Sequence, residues 1–290
     1  MTLSPDIKYF VTLCILFIPV LAFSQNSKPD TKFLKYLSDK EFHDEVIFII
    51  ENYNNAIKNQ ELEDSLNYLN GWSYYSIKEL KKSAKNLNKI SPSSPFYFKS
   101  KFFSAYNYMH LGQYQKSKEI LKQLEPNTNN HEALLQFELA GNALLRREYK
   151  EFNHHITETN RAYYPIKKEI DKLNEYAVNL ENHKPKSTLL ATMMSGIIPG
   201  SGKIYAGKTG EGISSLITVG GMGFVTWENY HKAGPTHFKT LFFGAVFAVF
   251  YFGNLYGTYF TVKIAEKEFQ DEYDNKILFN LHIPLRSVFN

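Results

Sequence analysis

The chain has 290 residues, 43% hydrophobic and 16% aromatic, enough for one large domain or two small ones. Its net charge of +4 comes from scattered lysines, with no basic run dense enough to serve nucleic acid, so the charge reads as a solvated surface. The single cysteine, Cys14, lies in an N-terminal apolar run, which excludes a disulfide framework and thiol chemistry from the rest of the chain.

Lys8 precedes an unbroken apolar run from Tyr9 to Phe23, which leads into Ala22-Phe23-Ser24 before Gln25. A basic start, an apolar core and small residues at the −3 and −1 positions predict a secretory signal peptide over residues 1–24. The run is shorter than the ~20 residues that a spanning helix needs. Leu13, just before Cys14, is not the small residue that lipid attachment wants. Export without disulfides points to a bacterial envelope protein. Residues 25–32 are polar and read as a linker.

Residues 33–160 carry helical patterns that recur about every 34 residues. Segments starting at Ser65, Lys99 and Leu134 align without gaps. Small residues Gly71, Ala105 and Ala140 stand 34 and 35 apart, each followed nine residues later by Leu80, Tyr114 or Tyr149 and three further on by Ser83, Ser117 or Phe152. An earlier fragment, Lys40 to Val46, reads as the second helix of a partial leading repeat. This pattern, best in Ala105…Leu111-Gly112-Gln113-Tyr114…Pro126, resembles tetratricopeptide repeats, whose unit is two antiparallel helices. Phe152 departs from it, since a small residue is usual there.

The resemblance implies a concave face lined by the first helix of each pair, which binds a peptide or helix of a protein partner. Carried over, the partner groove is Tyr68, Trp72 and Tyr75, then Phe102, Tyr106 and Met109, then Phe137 and Leu144. Its aromatic character favours apolar or proline-rich segments. The competing expectation is that a helix of the same chain covers this face. Residues 161–186 supply a candidate: Ile166, Ile170, Leu173, Ala177 and Leu180 form a stripe suited to capping the last repeat or packing on a second copy.

The stretch from Ser195 to Gly212, SGIIPGSGKIYAGKTGEG, contains the letters GSGK. A Walker loop needs Ser or Thr after Gly-Lys, because that hydroxyl binds magnesium, but Ile204 follows Lys203. A dinucleotide loop needs a third glycine where Tyr205 stands. No nucleotide or other cofactor is therefore expected.

Beyond it, Ile213 to Trp227 is uncharged, and Thr240 to Val262 gives 23 residues without a charge, long enough to cross a bilayer. Residues 187–265 thus read as a glycine-rich membrane domain with two spans, its glycines Gly196 with Gly200 and Gly253 with Gly257 at the spacing of closely packed membrane helices. Lys203 and Lys208 are placed at headgroup level, within reach of anionic lipid. The pattern Pro199-Gly200-Ser201-Gly202…Tyr205-Ala206-Gly207 resembles a small two-helix membrane domain at the C-terminus of Bacteroidetes-type envelope proteins, which implies architecture more than activity. The lysines flanking the hairpin outnumber those in its loop, so the positive-inside rule opposes the orientation that the signal peptide sets. Residues 266–290 read as a charged tail.

His154-His155 points to different helix faces with no acidic partner at ligand spacing, so no metal is expected, and no catalytic triad is recognisable. The expected fold is all-α: a tetratricopeptide-like solenoid followed by a C-terminal transmembrane hairpin. The expected function is a non-enzymatic adaptor or assembly factor at the bacterial inner membrane, with the array on the periplasmic side. The alternative is a lipid-binding or self-assembling membrane hairpin, a homo-oligomer regulated by the array.

Overall fold

The computed structural model describes residues 30–53, 59–159 and 164–289. The expected signal peptide and the first part of the linker lie outside the described residues. Among the described residues every element is a helix, and there is no strand. The chain forms two compact units, one ending at Pro126 and the other running from Asn127 to Val288.

The first unit contains α1 (Thr31–Asp39), α2 (His43–Glu51), α3 (Gln60–Ser76), α4 (Leu80–Leu87), α5 (Tyr97–His110) and α6 (Tyr114–Lys122). Asp30 caps α1 by accepting from the Lys32 amide at 2.9 Å, and Asn59 caps α3 from Glu61. Leu34 of α1, Val46 of α2 and Leu66 and Leu69 of α3 bury together as one core. The leading repeat is therefore a full helix pair, and Lys40 to Phe42 are its turn rather than part of its second helix.

The second unit opens with the last pair, α7 (Asn129–Leu145) and α8 (Tyr149–Glu158), followed by α9 (Tyr164–Asn182). The stripe read from the sequence is what α9 buries: Ile166, Ile170 and Leu173 are 0% exposed, and α9 packs on α7 and α8. It is a capping helix. Then come α10 (Thr188–Ile197), the short α11 (Ser201–Tyr205), α12 (Thr209–Ala233) and α13 (Phe238–Phe289).

The repeat period has a local cause. Helices α4, α6 and α8 start at Leu80, Tyr114 and Tyr149, and the residue two before each is left-handed: Lys78 (φ 68°), Gly112 (φ 69°) and Arg147 (φ 59°). Glu41 (φ 64°) does the same between α1 and α2. In each turn the following amide reaches back to the helix: Glu79 N to Tyr74 O, Gln113 N to Tyr108 O and Glu148 N to Ala143 O, all 2.9 Å, and Phe42 N to Leu37 O at 3.0 Å. These are four Schellman caps, which satisfy the orphan carbonyls at each helix end and reverse the chain. Leu80, Tyr114 and Tyr149 are only half-buried; Ser83, Ser117 and Phe152, three residues on, are the ones buried in full. At Gly71 an added Cβ would lie 2.7 Å from the Leu87 side chain, so the small residue does set the approach of α3 and α4.

Helix α13 runs unbroken for 52 residues, about 78 Å at 1.5 Å per residue. Residues 266–289 are thus not a separate tail but its second half. That half packs inside the second unit: Arg147 pairs with Asp274 at 2.8 Å and with Gln270, His183 meets Glu266 at 2.7 Å, and Asn280 donates to the Glu169 carbonyl. Leu281 fills the notch at Gly141, where a Cβ would come within 2.3 Å of it.

By length and composition, α13 is the one helix among the described residues long and apolar enough to cross a membrane. Helix α12 falls short, because glycines, serines and threonines dilute its apolar residues. It nevertheless pairs antiparallel with α13: Gly223 faces Phe247, Gly244 faces Thr226, and Thr261 donates to Glu211 at 3.1 Å. Much of the apolar surface here faces outward. Ile197 is 84% exposed, and Phe238, Val249 and Tyr256 are about as open. Exposed apolar residues gathered on one pair of helices mark a membrane or interaction surface.

Candidate functional sites: an aromatic pocket and a glycine junction

The eight groove residues separate into two sets. Phe102, Tyr106 and Met109 of α5 are buried (1%, 5% and 1% exposed), as are Phe137 and Leu144 of α7 at 0%. These five do not line an open groove. Helix α5 is buried all round from Phe102 to Met109, which is the mark of a core helix. The α7 face is covered within its own unit by α9 and by the second half of α13.

Tyr68, Trp72 and Tyr75 of α3 remain half-exposed, and two of them line an open pocket of about 400 Å³ with Phe96, Lys99, Lys35 and Asp39. Its wall is a run of rings. Phe96 stacks on Tyr68 at 4.2 Å, Trp72 on Tyr75 at 5.3 Å, and Phe103 backs Trp72 edge-on at 5.1 Å. The Lys99 ammonium sits 4.3 Å from the Trp72 ring centre, a cation–π contact. Burial pushes the Lys99 ammonium below the usual lysine range. Burial, with the Asp39 charge adding to it, pushes the Tyr68 phenol up to about 12, so it stays a neutral donor. The pocket therefore offers flat apolar faces beside a cation short of solvent, complementary to an apolar or aromatic side chain accompanied by a carboxylate.

The glycine stretch is built differently from any phosphate loop. Gly200 (φ +84°) caps α11, and a Cβ on it would lie 2.0 Å from the Gly212 carbonyl oxygen. A Cβ on Gly202 would lie 1.9 Å from the Ala191 carbonyl oxygen, and one on Gly212 2.4 Å from Ile204. Backbone thus crosses backbone here, which only glycine permits. Pro199 is half-buried in the turn before Gly200, and Tyr205 packs against Ala191, Ala206 and Val262. Gly207 (φ +90°) makes the turn into α12.

Polar bonds close the junction onto α13. The buried Ser195 hydroxyl accepts from the Gly202 amide at 3.0 Å and lies 2.9 Å from Thr258 Oγ1; Asn254 Nδ2 donates to the Ser195 carbonyl, and Tyr251 to that of Gly196. Helix packing through Gly253 and Gly257 is not found. Nothing lies within 4 Å of a Cβ on Gly253, and Gly257 faces only Lys203. Gly196 makes ordinary contacts at 3.7 Å with Leu255 and Tyr251, so it is not a close-packing partner of Gly200. Lys208 is paired with Glu268 at 2.6 Å, which leaves Lys203 as the lysine open to an anion.

No protein family, curated protein or solved structure matches the chain. Phe96 and Lys99 were not among the groove residues read from the sequence, because they lie at the junction into α5 rather than on the repeating face of a first helix. Ser195, Asn254 and Thr258 were missed for another reason: in an apolar run they look like dilution, yet they are the hydrogen-bonding centre of the junction. His155, half of the histidine pair, bonds Gln136 at 2.8 Å.

Proposed function

We propose that the protein is a membrane-anchored adaptor of the bacterial envelope, working by binding rather than by chemistry. The tetratricopeptide-like helix pairs present the Tyr68–Trp72–Phe96–Lys99 pocket to a partner protein, and the hairpin of α12 and α13 holds the array at the inner membrane. The N-terminal signal peptide would place the array on the periplasmic side. The observation that carries this reading is the open aromatic wall: half-exposed Tyr68 and Trp72 stacked into a pocket with a partly desolvated cation. Aromatic and charged anchors of this kind concentrate binding energy at interfaces. The partner is expected to insert an apolar or aromatic side chain with a carboxylate close by.

The test places a photo-crosslinking residue at Tyr75, beside the pocket, in the full chain in native membranes. A defined set of crosslinked envelope proteins, lost in Trp72→Ala and in Lys99→Met, supports the adaptor. Crosslinking that is unchanged in both variants, or that yields only a second copy of the chain, refutes it.

A further inference from the structure

We propose a phospholipid-headgroup site on the outer face of the α12–α13 hairpin, centred on Lys203. The proposal rests on the reading of that hairpin as membrane-embedded.

A groove of about 380 Å³ runs between Lys203, Ser214 and Asn254 at one end and Val219, Val249 and Phe250 at the other. The polar end is nearer the charged boundary of α13. Gly257, over which the Lys203 ammonium lies (3.5 Å from an ideal Cβ), is six residues from Lys263, about 9 Å along the helix. Val249 and Phe250 are two turns deeper in the apolar band. The groove thus grades from polar to apolar in the direction that a lipid does, headgroup outward and acyl chain inward. A free phosphate has no use for the apolar end.

Two unmet polar groups specify the headgroup. Lys203 has no carboxylate within ion-pair distance among the described residues, although it lies along a lipid-facing helix, where an unpaired ammonium is costly. Asn254 is 5% exposed, spends its Nδ2 on Ser195, and leaves Oδ1 without a partner. One group calls for an anion, the other for a hydrogen-bond donor. A phosphodiester carrying an amine or hydroxyl, as in ethanolamine or glycerol headgroups, supplies both; choline supplies the phosphate but no donor. Gly257 and Gly253 now have a purpose that helix packing did not give them: the first lets Lys203 lie flat on α13, and the second leaves the floor of the groove clear.

The test is lipid retention by the full-length protein, purified in detergent, exchanged with phosphatidylglycerol, phosphatidylethanolamine or phosphatidylcholine, and weighed by native mass spectrometry. Wild type should retain the first two about tenfold better than phosphatidylcholine, a difference of about 1.4 kcal/mol. Lys203→Met and Gly257→Val, the second of which keeps the lysine but displaces it, should both lower the retention of all three lipids, because the phosphate that they share loses its cation. Equal retention of all three lipids, or undiminished retention in both variants, overturns the site. Displacement of bound lipid by millimolar inorganic phosphate overturns the lipid and assigns the same contacts to free phosphate. Flotation with phosphatidylcholine vesicles is read separately. If wild type does not float, the membrane reading itself fails; if it floats while retention is unselective, only the headgroup site fails.

Discussion

Replacing Glu138 should make the protein more stable, and pH should reveal why. Glu138 lies on α7, is 0% exposed, and neither carboxyl oxygen has a hydrogen-bond partner. Burial raises its ionisation well above the usual carboxylate range, so folding favours the neutral acid over the carboxylate. An unsatisfied buried polar group costs about 1–3 kcal/mol. Glu138→Met keeps the unbranched shape and removes both the unmet oxygens and the ionisation. The unmet oxygens alone give an expected gain of about 2 kcal/mol, or about 4–8 °C in Tm for a unit of this size, at a pH below the ordinary carboxylate value, and the gain grows as pH rises above it.

The pH dependence follows from the direction of the shift. The unfolded chain ionises this carboxyl at its ordinary value while the folded protein keeps its proton, so folding is favoured most below that value. Stability then falls as pH rises toward the folded value, by at most about 1.4 kcal/mol per pH unit. Thermal melts by circular dichroism in detergent, from pH 5 to pH 8, should show wild type losing Tm across this range relative to Glu138→Met. Glu138→Gln should remove the slope but little of the unmet polarity, and so lie between the two. A wild-type profile parallel to that of the methionine variant, or a methionine variant less stable at neutral pH, would refute the argument.

Lys78→Gly should stabilise the array by about 0.5–1 kcal/mol in urea melts, because Lys78 bears the left-handed strain that Gly112 escapes at the equivalent turn. Arg147→Gly at the same position of the last repeat should lose stability instead, since its guanidinium holds Asp274 and Gln270. Gly200→Ala should abolish folded protein, measured by monodisperse yield after detergent extraction, whereas Gly253→Ala should match wild type, because one site meets backbone at 2.0 Å and the other meets open space. At the α9–α13 contact, burial works against ionisation of Glu266 but the hydrogen bonds from His183 and Gln270 win, holding it below its usual range. Its contribution is therefore present above the ordinary carboxylate value and lost as pH falls through the folded one. Hydrogen exchange in α9 should accelerate in acid for wild type and much less for Glu266→Gln.

The parts of the fold legible in the sequence are those fixed by local chemistry repeated at intervals. The turn before each second helix recurs at 34 and 35 residues because a Schellman cap recurs there, and the stripe from Ile166 to Leu180 needed only helical spacing to be seen. The groove was legible as a period but not as a surface. Spacing identifies the face of α5 or α7 that turns toward a common side; it carries no information on what else comes to that side. What covers α7 at Gly141, between Phe137 and Leu144, is Leu281, 140 residues later, in a segment whose own pattern reads as a charged tail. In the membrane domain the glycines were legible and their use was not. Two helices pressed together by small residues and a backbone crossing at Gly200 and Gly212 leave similar letters. They differ in φ and in which carbonyl stands opposite, and neither is written in spacing.

The course of α13 changes how anchor and array are related. Its first half is apolar and outward-facing, while its second half is fastened to α7 and α9 by Arg147, Glu169 and His183. No flexible linker separates these halves, so the last repeat and the span share one rod. A helix bound at both ends passes on tilt or axial rotation, and the junction at Ser195, Gly202 and Thr258 grips the same rod at the boundary between its halves. Lys203 belongs to that junction. A headgroup seated on it would therefore act on the one element that the capped repeat also holds, and the lipid environment would be felt by the second unit through a continuous helix rather than through a tether.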